Sequence, residues 1–146
     1  MLRRSWRLLR SFSFEQSDPG RFYGPLAEDT AELIVAIAAD MGEPVAVLDV
    51  GGGPGYFHRA FASRGMDYVT VEPDVGEMAA AGISVPASVR GSGTDLPFRD
   101  ECFDVVYSSN VAEHVAKPWQ MADEMLRVTK PGGVMVLSYT VWLGPF

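Results

Sequence analysis

A chain of 146 residues with 47% hydrophobic and 21% charged side chains is long enough, and apolar enough, to bury the core of one globular domain. A net charge of −7 argues against a nucleic-acid partner, because neutralising a phosphate backbone needs a basic face. The single cysteine, Cys102, excludes an intrachain disulfide and a cysteine-based zinc site, and no apolar run reaches the ~18 residues of a membrane-spanning helix.

Four arginines, Arg3, Arg4, Arg7 and Arg10, precede the first acid, Glu15. On a helical wheel Leu2, Trp6, Leu9 and Phe12 fall opposite them, so residues 1–20 read as a basic amphipathic segment. Packing on the domain is the expected role; peripheral contact of residues 1–14 with an acidic membrane is the alternative. Ser5, Ser11 and Ser13 also make the segment somewhat similar to an organelle transit peptide. Ser17-Asp18-Pro19-Gly20 is turn chemistry and sets this segment apart from a domain over residues 21–146.

Pro25, the acids Glu28, Asp29 and Glu32, and Gly42 predict a helix over 25–41 with Leu26, Leu33, Ile34, Ile37 and Met41 on its apolar face. The unbroken apolar run 45–50 predicts a buried parallel strand. Gly51, Gly53 and Gly55 follow at alternate positions, where a missing Cβ permits positive φ and close approach to a ligand. A helix over 56–64 then presents its N-terminal amides at the same place. These elements build a nucleotide-type pocket at the carboxyl end of a strand. A dinucleotide fingerprint begun at Gly51 requires glycine at position 56; Tyr56 stands there and disfavours a nicotinamide-dependent oxidoreductase.

Further strands are predicted at 67–72, more weakly at 85–89, at 103–108 and at 134–140, the last apolar on both faces. A short helix is expected near 75–81. A longer one runs from Pro118 to about Thr129, where Pro131-Gly132-Gly133 stops it. Strands alternating with helices imply an α/β fold with a doubly wound parallel sheet.

Asp49-Val50-Gly51-Gly52-Gly53-Pro54-Gly55 has a D-x-G-x-G-x-G form. With Ser108–Val115 and Leu126-Arg127-Val128-Thr129-Lys130-Pro131-Gly132-Gly133, it resembles the class I S-adenosylmethionine (SAM)-dependent methyltransferases, in the branch that methylates small molecules, quinones and lipids. The resemblance implies a Rossmann-like sheet, SAM as cofactor and a small-molecule or lipid-like acceptor. It gives Gly51, Gly53 and Gly55 to the cofactor loop, and Asp49 to the support of that loop and of the methionine ammonium. Glu72 would take the ribose diol, Asp95 the adenine amino group, and the backbone of Thr94 or Leu96 the ring edge. Carbonyls near Ser109 and Asn110 would hold the ammonium.

Aligning a nucleophile with an already activated methyl can supply up to ~7–11 kcal/mol, so no catalytic side chain is strictly required. His114 is the candidate base for a hydroxyl acceptor, with loop packing as its alternative role. His58 is expected to face solvent or support packing. Tyr23 and Phe22 are expected to close over the methionine end or to pack in the core, and Trp119 and Met121 to be core.

The family's sheet continues for two strands beyond the fifth, so the resemblance implies a domain truncated there, with an exposed edge prone to self-association. All implied cofactor contacts precede residue 116. SAM binding is therefore expected of this chain even if catalysis is not, and a non-catalytic SAM-binding or assembly module is the second reading. Cytoplasmic residence is expected, with membrane contact only at the arginine-rich start.

Overall fold

The computed structural model describes residue 14 and residues 17–138. Helix α1 spans Pro19–Ile37 and begins six residues before the predicted start. Asp18 caps it, accepting from the Arg21 amide at 3.3 Å, and Pro19 stands in the first turn, where a missing N–H costs nothing. The Ser17–Gly20 signal is thus a helix start, and Pro25 lies inside the helix it was expected to open. The buried stripe also differs from the predicted one: Phe22, Ala27, Ala31 and Ile34 face the core, while Leu33 and Ile37 are exposed. The small alanines let the helix lie close on its neighbours, and that contact outweighs the larger side chains.

The sheet comprises β1 (Ala46–Val50), β2 (Asp67–Glu72), β3 (Ser88–Arg90), β4 (Phe103–Ser109) and β5 (Thr129–Ser138). All pairings are parallel, in the order β3-β2-β1-β4-β5. Short helices α2 (His58–Ala62) and α3 (Val75–Ala79) connect the first three strands, and α4 (Pro118–Val128) leads into β5. Each central strand is buried on both faces, as its apolar sequence demands. Val47, Phe61, Tyr68, Val105 and Tyr107 form a core with α1 and α2. Leu48, Val50, Val71 and Val106 form another with Met121, Met125 and Val128 of α4.

Two expectations at the end of the chain are corrected. Pro131-Gly132-Gly133 does not stop α4; Thr129 is already extended (φ −78°, ψ 131°), and the three residues lie within β5. There the register against β4 slips between Phe103 and Val105, and Gly132 takes φ +78°. A Cβ on Gly133 would come within 2.7 Å of the Asp104 carbonyl, so the motif serves a strand irregularity. Asp104 ties three strands together by accepting from the Ala46 amide and from Lys130 Nζ, each at 2.9 Å. Trp119, expected in the core, is 66% exposed, because α4 buries Met121, Met125 and Val128 at four- and three-residue spacing and Trp119 falls off that stripe.

Candidate functional site

Strand order reverses between β1 and β4, and a parallel sheet opens a crevice at the carboxyl ends of the strands at such a point. A cavity of about 660 Å³ lies there, lined by Asp49, Gly51, Gly52, Gly53, Pro54, Glu72, Ser109, Asn110 and His114 together with Pro19, Tyr23, Tyr56, Phe57, Glu77 and Val111.

The glycine loop leaves β1 as the sequence requires. Gly51, Gly53 and Gly55 have φ of +77°, +50° and +86°, the left-handed region that favours glycine. Sequence reasoning passed over Gly52, the most confined of the run: a Cβ there would lie 2.1 Å from Thr70 Oγ1 and 2.9 Å from Asp49 Oδ2. Below the loop, Asp49 is 2% exposed and accepts the Tyr68 hydroxyl at 2.5 Å. Burial pushes its carboxyl up to about 7; the Tyr68 bond opposes the rise and the charge of Glu72 adds to it. Tyr68 itself is raised well above its ordinary value by burial and by Asp49. Sequence reasoning missed this partner of Asp49, since the apolar pattern of a buried strand does not say which tyrosine meets a carboxylate.

Glu72 ends β2 beside the loop. Its two carboxylate oxygens accept from the amides of Gly53 at 3.2 Å and Asp74 at 3.1 Å, which holds the group at the cavity wall. Asn110 has φ +56°, a left-handed conformation that asparagine tolerates, and its amide donates to the Ser138 carbonyl at 2.9 Å. This turn brings Ser109, Asn110 and the exposed His114 to the opposite wall. Tyr23 stacks on Tyr56 with centroids 5.3 Å apart, and the buried Phe22 supports it edge-on. His58 packs its ring against Tyr68 at 5.5 Å, and its buried Nδ1 has no hydrogen-bond partner.

The remaining expected residues stand outside the lining. Gly55 is buried where a Cβ would meet Val85 at 2.2 Å, so it serves the turn into α2. The Thr94 carbonyl accepts from Gln120 at 3.1 Å, and Asp95 is exposed. Leu96 points into the α4 core and is 3% exposed. The segment nevertheless starts at the cavity edge: the Gly91 amide donates to the Glu72 carbonyl at 3.2 Å, and a Cβ on Gly93 would lie 3.0 Å from Val50.

The charges in the lining define what it suits. Asp49, Glu72 and Glu77 contribute to it and, among the described residues, no lysine or arginine does, an arrangement for a ligand that carries positive charge and donates hydrogen bonds, not for a diphosphate. That chemistry fits the sulfonium, ammonium and ribose hydroxyls of SAM.

This chain belongs to the methyltransferase-domain family, whose family model matches residues 48–137. It is 60% identical over 153 aligned positions to a protein named an uncharacterized methyltransferase in Mycobacterium marinum, a match that takes in 99% of this chain and 60% of that one. The chain thus spans about 60% of the length of the curated relatives it matches. Among solved structures, a candidate SAM-dependent methyltransferase of Methanococcus maripaludis superposes with a TM-score of 0.67 at 18% identity, over 86% of this chain and 59% of that one. A candidate methyltransferase of Haloferax volcanii, solved in complex with its Trm112 activator, gives 0.58 at 25% identity over 74% and 53%. Among the described residues, no helix is long and apolar enough to cross a membrane.

Proposed function

We propose that this chain binds SAM and forms the cofactor-binding part of a methyltransferase acting on a small-molecule or lipid-like acceptor. The observation that carries the reading is the convergence of Asp49 and Glu72 with a positive-φ glycine loop on one cavity whose described lining holds no lysine or arginine. When bound, SAM supplies an activated methyl on a cationic sulfur. Glu72, already fixed by two backbone amides, accepts from the ribose diol. Asp49 supports the loop and faces the methionine ammonium, beside the carbonyls of Ser109 and Asn110. Asp95 takes the adenine amino group. Tyr23 and Tyr56 cover the opening and help to exclude water, which strengthens every charge interaction inside. His114 lines the cavity wall and serves as the base if the acceptor is a hydroxyl. For residues 1–14, packing on the domain is the reading carried forward, with peripheral membrane contact as its alternative; apart from Phe14, those residues lie outside the described ones.

Calorimetric titration with SAM and with its demethylated product, with NAD as control, tests the reading. Micromolar binding of the first two and none of NAD is expected. Losing hydrogen bonds to a charged acceptor costs ~1.5–3 kcal/mol, so Glu72→Ala should bind SAM roughly 10- to 150-fold more weakly. Unchanged affinity in that variant, or preference for NAD, overturns the assignment.

A further inference from the structure

One face of α4 grips the segment that follows β3. Gln120, Glu124 and Arg127 stand four and then three residues apart, so they share a side of the helix. Gln120 Nε2 donates to the Thr94 carbonyl at 3.1 Å. Glu124 Oε2 accepts from the Leu96 amide at 2.8 Å. The Arg127 guanidinium donates to the carbonyls of Leu96 at 3.1 Å and Phe98 at 2.9 Å, and to the Asp100 carboxylate at 2.7 Å. Glu124 steadies that guanidinium through two bonds of 2.7 Å. The alternate carbonyls 94, 96 and 98 therefore all turn toward α4. Asp95, between two held residues, turns away: its amide donates to the Ser92 carbonyl at 3.1 Å and its side chain is exposed.

So dense a set of contacts is more than a helix needs to stay on a sheet, since Met121, Met125 and Val128 already bury that helix. A planar fork is required to serve two carbonyls and two carboxylates at once, and a lysine ammonium cannot replace it. We propose that Gln120, Glu124 and Arg127 are positioning residues that set the backbone of residues 94–98, and so hold Asp95 where it meets the adenine of the cofactor. The proposal rests on the SAM-binding reading given above.

The test uses the full chain with Arg127→Gln, Arg127→Lys and Gln120→Ala, read by amide hydrogen exchange without ligand and by SAM titration. Arg127→Gln should expose the Leu96 and Phe98 amides to exchange and weaken SAM binding by at least roughly ten-fold. Lysine should not restore affinity. Gln120 is exposed and makes a single bond here, so Gln120→Ala should fold normally and show a smaller loss in the same direction; it keeps the test open if the arginine variants fail to fold. A purely structural role would not couple to Asp95. In an Asp95→Asn background, Arg127→Gln should cost little more, because substitutions acting through one contact do not add. Full additivity, or wild-type SAM affinity in both Arg127→Gln and Gln120→Ala, overturns the proposal and leaves the cofactor reading standing. A wild-type chain that binds no SAM overturns that reading and this proposal with it.

Discussion

Asp49 carries an ionisable carboxyl into a buried place where, among the described residues, the cavity wall holds no lysine or arginine, and its titration follows from that burial. With its carboxyl pushed up to about 7 by burial, the group is largely protonated at pH 6 and largely ionised at pH 8. A cationic ligand needs the ionised form. SAM affinity should therefore rise with pH up to about 7 and flatten above it, being roughly ten-fold weaker at pH 6 than at pH 8. Tyr68→Phe removes the bond that lowers the value, so the midpoint of that rise should move to higher pH. Calorimetry between pH 5.5 and 8.5 checks both; a pH-independent affinity sinks the role given to Asp49.

The same carboxyl bears on stability with a defined sign. A folded-state value raised above 3.8 favours the fold at low pH, and that contribution is lost as pH climbs through about 7. The displacement corresponds to at most about 4 kcal/mol. Asp49→Asn should accordingly gain stability over wild type at pH 8 and lose most of that advantage by pH 5, while binding SAM poorly. Thermal unfolding at the two pH values reads the difference.

At the scale of the element, the glycine loop shows what a motif conveys and what it hides. The alternate glycines, Gly51, Gly53 and Gly55, were legible because a turn out of a strand needs positive φ, and each has it. Gly52 was not, because its constraint is contact with Thr70 of the neighbouring strand, which no local pattern encodes. The two kinds of constraint separate by mutation. Gly53→Ala meets open space and pays only for a left-handed alanine, about 1–2 kcal/mol. Gly52→Ala meets Thr70 Oγ1 and Asp49 Oδ2, which cannot both withdraw, and should cost up to about 3 kcal/mol as well as SAM binding. Equal melting temperatures for the two variants would refute this distinction. The Pro-Gly-Gly stretch of β5 makes a similar point: its breaker chemistry was plain, but whether it breaks a helix or bends a strand depended on where β4 would pair.

For the molecule as a whole, exposed apolar side chains occur on α1 and again on α4 and β5, where they lie beside the edge of the sheet. Among the described residues β5 ends the sheet; Met135 and Leu137 on it are each 39% exposed, and Leu126 on α4 is 64% exposed. A strand edge with apolar neighbours is a template for pairing. Self-association that grows with concentration is expected in sedimentation velocity, and Leu137→Lys should reduce it. A monodisperse monomer over a wide concentration range would dispose of the expectation.

By itself the sequence determined the alternation of strand and helix, the parallel sheet, the glycine loop and the acids after β1 and β2, because each follows from local periodicity or from the conformational freedom of one residue type. Tertiary structure alone decided the pairing of Asp49 with Tyr68, the confinement of Gly52, the place of Pro131-Gly132-Gly133 within a strand and the hold of α4 on residues 94–98. Those depend on which segments come to lie side by side. Contacts between residues distant in sequence leave no trace in the spacing of either.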